Sequence, residues 1–171
     1  MSLDVYKFHS TPFKLKGYEQ YESKELAITE DLRGYVRELM EHDREQGIKR
    51  GTIYPYLGHI VHQYSDKRDI MERVIAKIGE PYLCLIYSLV IKEPFELGEK
   101  FISKVPDYSF QYAEQVLDGP FKMGEQAISK DAGLSLLYAR NILSGRFEMG
   151  EEAISKDDAY AYHYALQVLK S

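Results

Sequence analysis

His59 and His62 stand three residues apart, a spacing that on a helix turns both imidazoles to one side and would let them share a metal ion. Gln63 and Asp66 fall on that side too, opposite an apolar stripe of Ile53, Tyr56, Leu57, Ile60, Val61 and Tyr64. The favoured reading is therefore the solvated face of an amphipathic helix, with no metal. Arg44 and Glu45 would complete a small catalytic group with these histidines, between the N-terminal segment and the first helices. His9, His42 and His163 have no evident companion. Glu151 and Glu152 are adjacent on a helix and cannot converge. Cys84 lies in the apolar run YLCLIYSLVI and reads as a packing residue; a single cysteine also precludes an intrachain disulfide. The chain has no phosphate-binding loop of the Walker type, no GxSxG and no HExxH.

The elements that would have to position such groups are plain in the final third, where one sentence is written three times. It runs PFELGEKFISKVPDYSFQYAEQVLDG from Pro94, PFKMGEQAISKDAGLSLLYARNILSG from Pro120 and RFEMGEEAISKDDAYAYHYALQVLKS from Arg146, at an interval of about 26 residues. In the first half of each copy, Phe95, Leu97, Phe101 and Ile102, with their counterparts Phe121, Met123, Ala127, Ile128 and Phe147, Met149, Ala153, Ile154, are expected on one buried helical stripe. In the second half, Tyr112, Ala113, Val116 and Leu117 recur as Tyr138, Ala139, Ile142, Leu143 and as Tyr164, Ala165, Val168, Leu169, a wide apolar face at helical period.

Punctuation between the halves fits a tight hairpin. Asp131 and Asp157 sit where a carboxylate caps the second helix, and Pro106 occupies a first-turn position in the copy that lacks this Asp. Gly119, followed by Pro120, and then Gly145 supply the stops. Gly98, Gly124 and Gly150 recur inside the first helices despite a cost of about 1 kcal/mol each relative to Ala, which calls for close helix approach. Glu99, Glu125 and Glu151 follow them and favour the positive helix end; Lys104, Lys130 and Lys156 complement the other.

Upstream the pattern is worn. Residues 1–22 lack helical period and are expected to form an extended arm, with Tyr6, Phe8, Phe13 and Tyr18 as anchors. A helix is expected from Thr29 through Met40 and another from Thr52, the latter spaced like the later second helices. Residues 69–93 align with the repeats after one extra residue near Gly79, matching Ile75 to Ile102, Lys77 to Lys104 and Val90 to Val116. The fold predicted is all-α: a solenoid of about five stacked antiparallel helical hairpins with an extended N-terminal arm, residues 1–67 forming the arm and a degenerate hairpin and 68–171 the tandem pairs of one compact domain.

At 171 residues the chain can bury a core unaided. Its net charge of −5 weighs against nucleic acid as a partner, and no apolar run is long enough to span a membrane. The lone cysteine and the absence of a secretory leader point to the cytoplasm. The final copy keeps its full apolar pattern up to Ser171, so its outer face is expected to need cover from a partner, a second copy or the arm.

The pattern F-x-x-G-E-x-x-I-x-K-D, then six residues, then Y-A-x-x-V-L from Phe147 to Leu169 resembles the short helix-pair repeats of uncharacterised proteins from large tailed bacteriophages and giant viruses. Gly98, Gly124 and Gly150 depart from the Ala of that pattern. The resemblance implies an all-helical array and a viral accessory protein acting in host cytoplasm; it implies no catalytic residue. The functional expectation is a nonenzymatic protein-binding module, with Gln111, Arg140 and His163 as outward contacts and neither metal nor cofactor. Self-association through the C-terminal repeat is a further expectation, and the small enzyme built on His59, His62, Arg44 and Glu45 is the alternative.

Overall fold

The computed structural model describes residues 28–34 and 54–170. Every regular element among these is helical, and they contain no strand. The order is α1 (residues 28–34), α2 (Tyr54–Gln63), a 3-10 turn (Ser65–Lys67), α3 (Arg68–Ile78), α4 (Pro81–Ile91), α5 (Glu96–Ile102), α6 (Pro106–Tyr112), α7 (Glu125–Ile128), α8 (Ala132–Leu137), α9 (Glu148–Ser155) and α10 (Asp158–Gln167). The expected arm, the remainder of the first predicted helix beyond residue 34, Arg44 and Glu45 lie outside the described residues.

Even-numbered helices pack in chain order, α2 on α4, α4 on α6, α6 on α8 and α8 on α10; α3 meets α5, and α7 meets α9. One continuous core runs from Ile28 and Leu32 through Leu57, Met71, Ile75 and Leu85 to Ile128, Ile154 and Val168. The caps read at Asp131, Asp157 and Pro106 are in place, whereas Thr29, expected to open the first helix, already lies within it after Ile28. Asp131 accepts from the Leu134 amide at 2.8 Å, Asp157 from Ala159 and Tyr160 at 3.0 and 3.2 Å, and Pro81 and Pro106 open α4 and α6.

Two features alter the sequence reading. First, α6 and α8 each run on into a π-helical segment, Ala113–Leu117 and Tyr138–Leu143, whereas α4 is α-helical throughout. A wider i→i+5 turn accommodates one more residue per helix end. From the buried Tyr87 to the left-handed residue closing α4, Lys92, is five steps; from Tyr112 to Asp118 and from Tyr138 to Ser144 it is six. The worn copy is therefore one residue shorter here and two residues longer at its hairpin turn, where Gly79 takes φ 68°. Tyr87, not Ile86, is the counterpart of Tyr112, and the single insertion near Gly79 is replaced by these two compensating changes.

Second, the left-handed stops fall one residue before the glycines, on Asp118 (φ 46°) and Ser144 (φ 48°). Gly119 and Gly145 come next, donating their amides to the carbonyls of Ala113 and Ala139 at 3.1 and 3.0 Å.

Asp31 on α1 is a buried carboxylate. It accepts the Tyr64 hydroxyl through Oδ2, while Oδ1 has no hydrogen-bond partner among the described residues. Burial pushes its pKa up, and the Tyr64 bond opposes this only in part. The carboxyl is thus no burden below its unfolded pKa, and the folded state loses stability as pH rises through the raised value. Asp31→Asn is expected to stabilise the protein by about 1–2 kcal/mol at pH 7 and to have no such effect near pH 3, read as the difference between urea unfolding midpoints at the two pH values.

Candidate functional site

Each of the three close copies is closed by the same three residues, a Phe, a Tyr and a Glu. The Phe at the start of the first helix is buried, and its amide donates to the hydroxyl of a tyrosine on the following helix: Phe95 to Tyr112 at 2.9 Å, Phe121 to Tyr138 at 2.8 Å and Phe147 to Tyr164 at 2.8 Å. That hydroxyl donates onward to the glutamate of the Gly-Glu pair, Glu99 at 2.9 Å, Glu125 at 3.1 Å and Glu151 at 2.9 Å. The tyrosine ring then packs on the Phe of the next copy, with centroids 4.9 Å apart for Tyr112–Phe121 and 5.0 Å for Tyr138–Phe147. Tyr87 and Phe95 form the same pair at 5.0 Å. One side chain so ties its own hairpin shut and seats its neighbour.

Burial, chiefly, keeps these hydroxyls protonated: it pushes Tyr112, Tyr138 and Tyr164 above the usual tyrosine range, the Phe amides pull them back, and the glutamates raise them further. The glutamates, Glu125 buried and Glu99 and Glu151 half-buried, are thus tied into the hairpin by a tyrosine, whereas the sequence reading puts them only at the favourable end of a dipole. The glycine before each one meets the expectation of close approach. A Cβ on Gly124 would lie 2.6 Å from Ser109 Cβ, one on Gly150 2.6 Å from Ser135 Cβ, and one on Gly98 3.1 Å from Cys84 Cβ. Ser109 and Ser135 also donate to the carbonyls of Ile102 and Ile128 at 3.1 Å, closing the C-terminal turn of the neighbouring short helix. Cys84 holds the corresponding place, and burial pushes its thiol up to about 12, which leaves it inert.

With Phe, Gly and Ile committed inward, Leu97, Met123 and Met149 are turned out. They are 48%, 53% and 51% exposed, one per copy at the same position. This corrects the expectation that they share the buried stripe: a residue two places after the buried Phe points to the opposite side of a helix. The result is a row of three apolar side chains flanked by exposed Glu96, Lys122 and Glu148. Glu151, beside the row, is held ionised below its ordinary range chiefly by the Arg146 guanidinium, which reaches it with two bonds of 2.9 and 2.8 Å.

The contacts predicted from sequence lie elsewhere. Gln111 is half-buried on α6. Arg140, exposed on the π segment after α8, donates to Asn141 at 2.9 Å and to Gln167 at 3.0 Å, and His163 meets Gln167 at 3.4 Å. Gln167 so joins two of the three. The Arg140–Gln167 bond repeats, one copy later, that from Asn141 to Glu114 at 3.3 Å. These polar groups are rungs between successive helices. His59 and His62 are exposed on α2, and no group of three His, Cys, Asp or Glu residues able to hold a metal ion occurs among the described residues. None of the helices among these residues is long and apolar enough to cross a membrane.

No family model, curated protein or solved structure matches the chain. The row of exposed apolar residues and the tyrosine locks beneath it are therefore the features on which a functional reading has to rest.

Proposed function

We propose that the protein is a nonenzymatic binding module, a solenoid of about five stacked helical hairpins that seats an apolar segment of another protein along Leu97, Met123 and Met149. The observation that carries this reading is the repetition of exposure itself. A large apolar side chain stands in solvent at the same place in three consecutive copies, while the exposed positions 96, 122, 148 and 100, 126, 152 of the same segments change between Glu, Lys and Gln. Scattered exposed apolar residues are ordinary, but an aligned series marks a recognition surface. Two of the three are methionines, whose unbranched side chains adapt to different partners. The locks beneath keep the first helices at a fixed spacing, so a partner meets a preformed surface and binding costs little ordering. The resemblance to phage and giant-virus repeats extends the reading to a viral accessory protein acting on a host or viral protein in the cytoplasm.

Display of random peptides against the immobilised protein tests the proposal. Enriched peptides are expected to carry several apolar residues and to lose at least about 30-fold in affinity for the triple variant Leu97→Glu/Met123→Glu/Met149→Glu. The variant is expected to keep its helical circular dichroism and thermal unfolding midpoint, because all three side chains are outside the core. Peptides that bind variant and parent alike would remove the row from consideration.

A further inference from the structure

The row on the first helices also constrains the shape of what it holds. It begins at Leu97: the counterpart in the worn copy, Ile70, is half-buried, and the charges beside that residue, Asp69 and Arg73, pair with each other at 3.6 Å. Leu97, Met123 and Met149 follow one per copy, as the second helices stack in order and α7 packs on α9. Packed helices lie about 8–10 Å apart, so the row offers an apolar contact at roughly that interval.

A partner backbone has to bring an apolar side chain back to one side at the same interval. An extended strand does so every two residues, about 6.7 Å, or every four, about 13 Å, and misses it. A polyproline segment returns every three residues, about 9 Å, but such segments dock between aromatic rings, and the row holds only Leu and Met. An α-helix returns every seven residues, about 10.5 Å, which a small tilt against the row brings into register. Unbranched, adaptable Met is also a side chain on which amphipathic helices seat.

The charges beside the row are uneven. Immediately before each apolar residue come Glu96, Lys122 and Glu148, all exposed. Lys122 reaches the buried Glu125 at 3.0 Å, and Arg146 gives both its bonds to Glu151, whereas Glu96 and Glu148 have no hydrogen bond or ion pair among the described residues. Three places after each apolar residue, Lys100 lies over the Phe101 ring at 4.9 Å, Gln126 is neutral and Glu152 is paired with Lys156 at 2.7 Å. Free carboxylates therefore stand beside the first and last members of the row. We infer that the occupant is an amphipathic helix of a partner protein, apolar at three positions seven residues apart, with Lys or Arg beside the first and third. This rests on the reading of the row as a docking surface and adds the form and charge of what docks there.

Fluorescence anisotropy of a labelled synthetic peptide with the full chain gives the test. The peptide, of about 20 residues, carries leucine at every seventh position, lysine one turn from the first and third leucines, and alanine and glutamine elsewhere. It is expected to bind the parent, to gain helical circular dichroism on binding, and to lose its affinity for Leu97→Glu/Met123→Glu/Met149→Glu. Replacing its lysines by glutamate is expected to weaken binding at least about tenfold at low salt, and Glu96→Lys/Glu148→Lys to reverse that preference. Both glutamates are exposed, so this variant keeps the unfolding midpoint of the parent. Equal affinity for the two peptides, a preference that fails to reverse in the variant, or tighter binding by a proline-rich peptide with leucine at every third position would each overturn the inference while leaving the row as a docking surface. Absence of row-dependent binding by the lysine peptide would overturn it too, and the random-peptide selection then decides separately whether the reading of the row stands.

Discussion

Tyr138→Phe is expected to cost about 3 kcal/mol of folding stability, a large share of the roughly 5–15 kcal/mol that holds a domain of this size together. The side chain is fully buried, and only its hydroxyl changes. Removing it deprives the Phe121 amide of an acceptor at 2.8 Å and Glu125 of one of two donors, at 3.1 Å, leaving only the single bond of 3.0 Å from the exposed Lys122 to the same oxygen. Both are in buried residues, Phe121 at 3% and Glu125 at 7% exposure, so water does not readily take the place of the hydroxyl. Stacking on Phe147 is untouched by the change, which makes the variant a clean measure of the two hydrogen bonds. Tyr164→Phe is expected to cost less, about 1–2 kcal/mol, because Glu151 keeps its pair of bonds to Arg146 and is only half-buried. Urea unfolding should show the midpoint falling in that order with the slope unchanged. A double-mutant cycle with Glu125→Ala should return a coupling above about 1 kcal/mol. A Tyr138→Phe variant within about 0.5 kcal/mol of the parent would mean that the hydroxyl is not what ties the hairpin together.

The same tyrosines show where the sequence was legible and where it was not. The i, i+1, i+4, i+5 series places Tyr112, Tyr138 and Tyr164 on a buried face, and they are buried. Periodicity reports which side a residue is on, however, and says nothing of what a polar tip at the bottom of that side will bond. The partner was nevertheless visible in part: a Glu stands 13 residues before every Tyr, and a Phe amide 17 before, in all three copies. Invariance of an acidic residue beside a buried aromatic was the signal that a dipole argument passed over. Leu97, Met123 and Met149 were lost for the opposite reason. Apolar type suggests burial, although their spacing of two from the Phe puts them across the helix axis. The worn copy misled through compensation. Two extra residues at one turn and one fewer in the next helix leave the overall interval almost unchanged, so an alignment by length finds Ile86 where the packing uses Tyr87. The π segments that create this difference have no signature in residue type, since Ala113–Leu117 and Tyr138–Leu143 would be read as ordinary helix.

Gly150→Ala is expected to destabilise the protein by about 2–4 kcal/mol, against the gain of about 1 kcal/mol that the same change gives in an open helix. The sign is decided by space. Gly150 is in the first turn of α9, and an added methyl would meet Ser135 Cβ, Ser135 Oγ and Phe147 Cδ1, each at 2.6 Å. None of these is the loose end of a long side chain. Ser135 is buried and donates to the Ile128 carbonyl, and Phe147 is pinned by the Tyr138 ring and by the Tyr164 hydroxyl. Relief would require α9 to move away from α8, which opens the packing that the locks maintain. Gly124→Ala, facing Ser109 and Phe121 at 2.5–2.8 Å, should behave alike. Gly58 provides the control: a Cβ there meets nothing within 4 Å, so Gly58→Ala on α2 should be neutral or stabilising by up to about 1 kcal/mol. Combining Gly150→Ala with Ser135→Gly removes one side of the clash and should cost less than the sum of the two single changes, as judged by urea midpoints. If Gly150→Ala proved as harmless as Gly58→Ala, the recurrent glycines would not be the points of contact that fix the spacing of the first helices, and the row of Leu97, Met123 and Met149 would lose its rigid support.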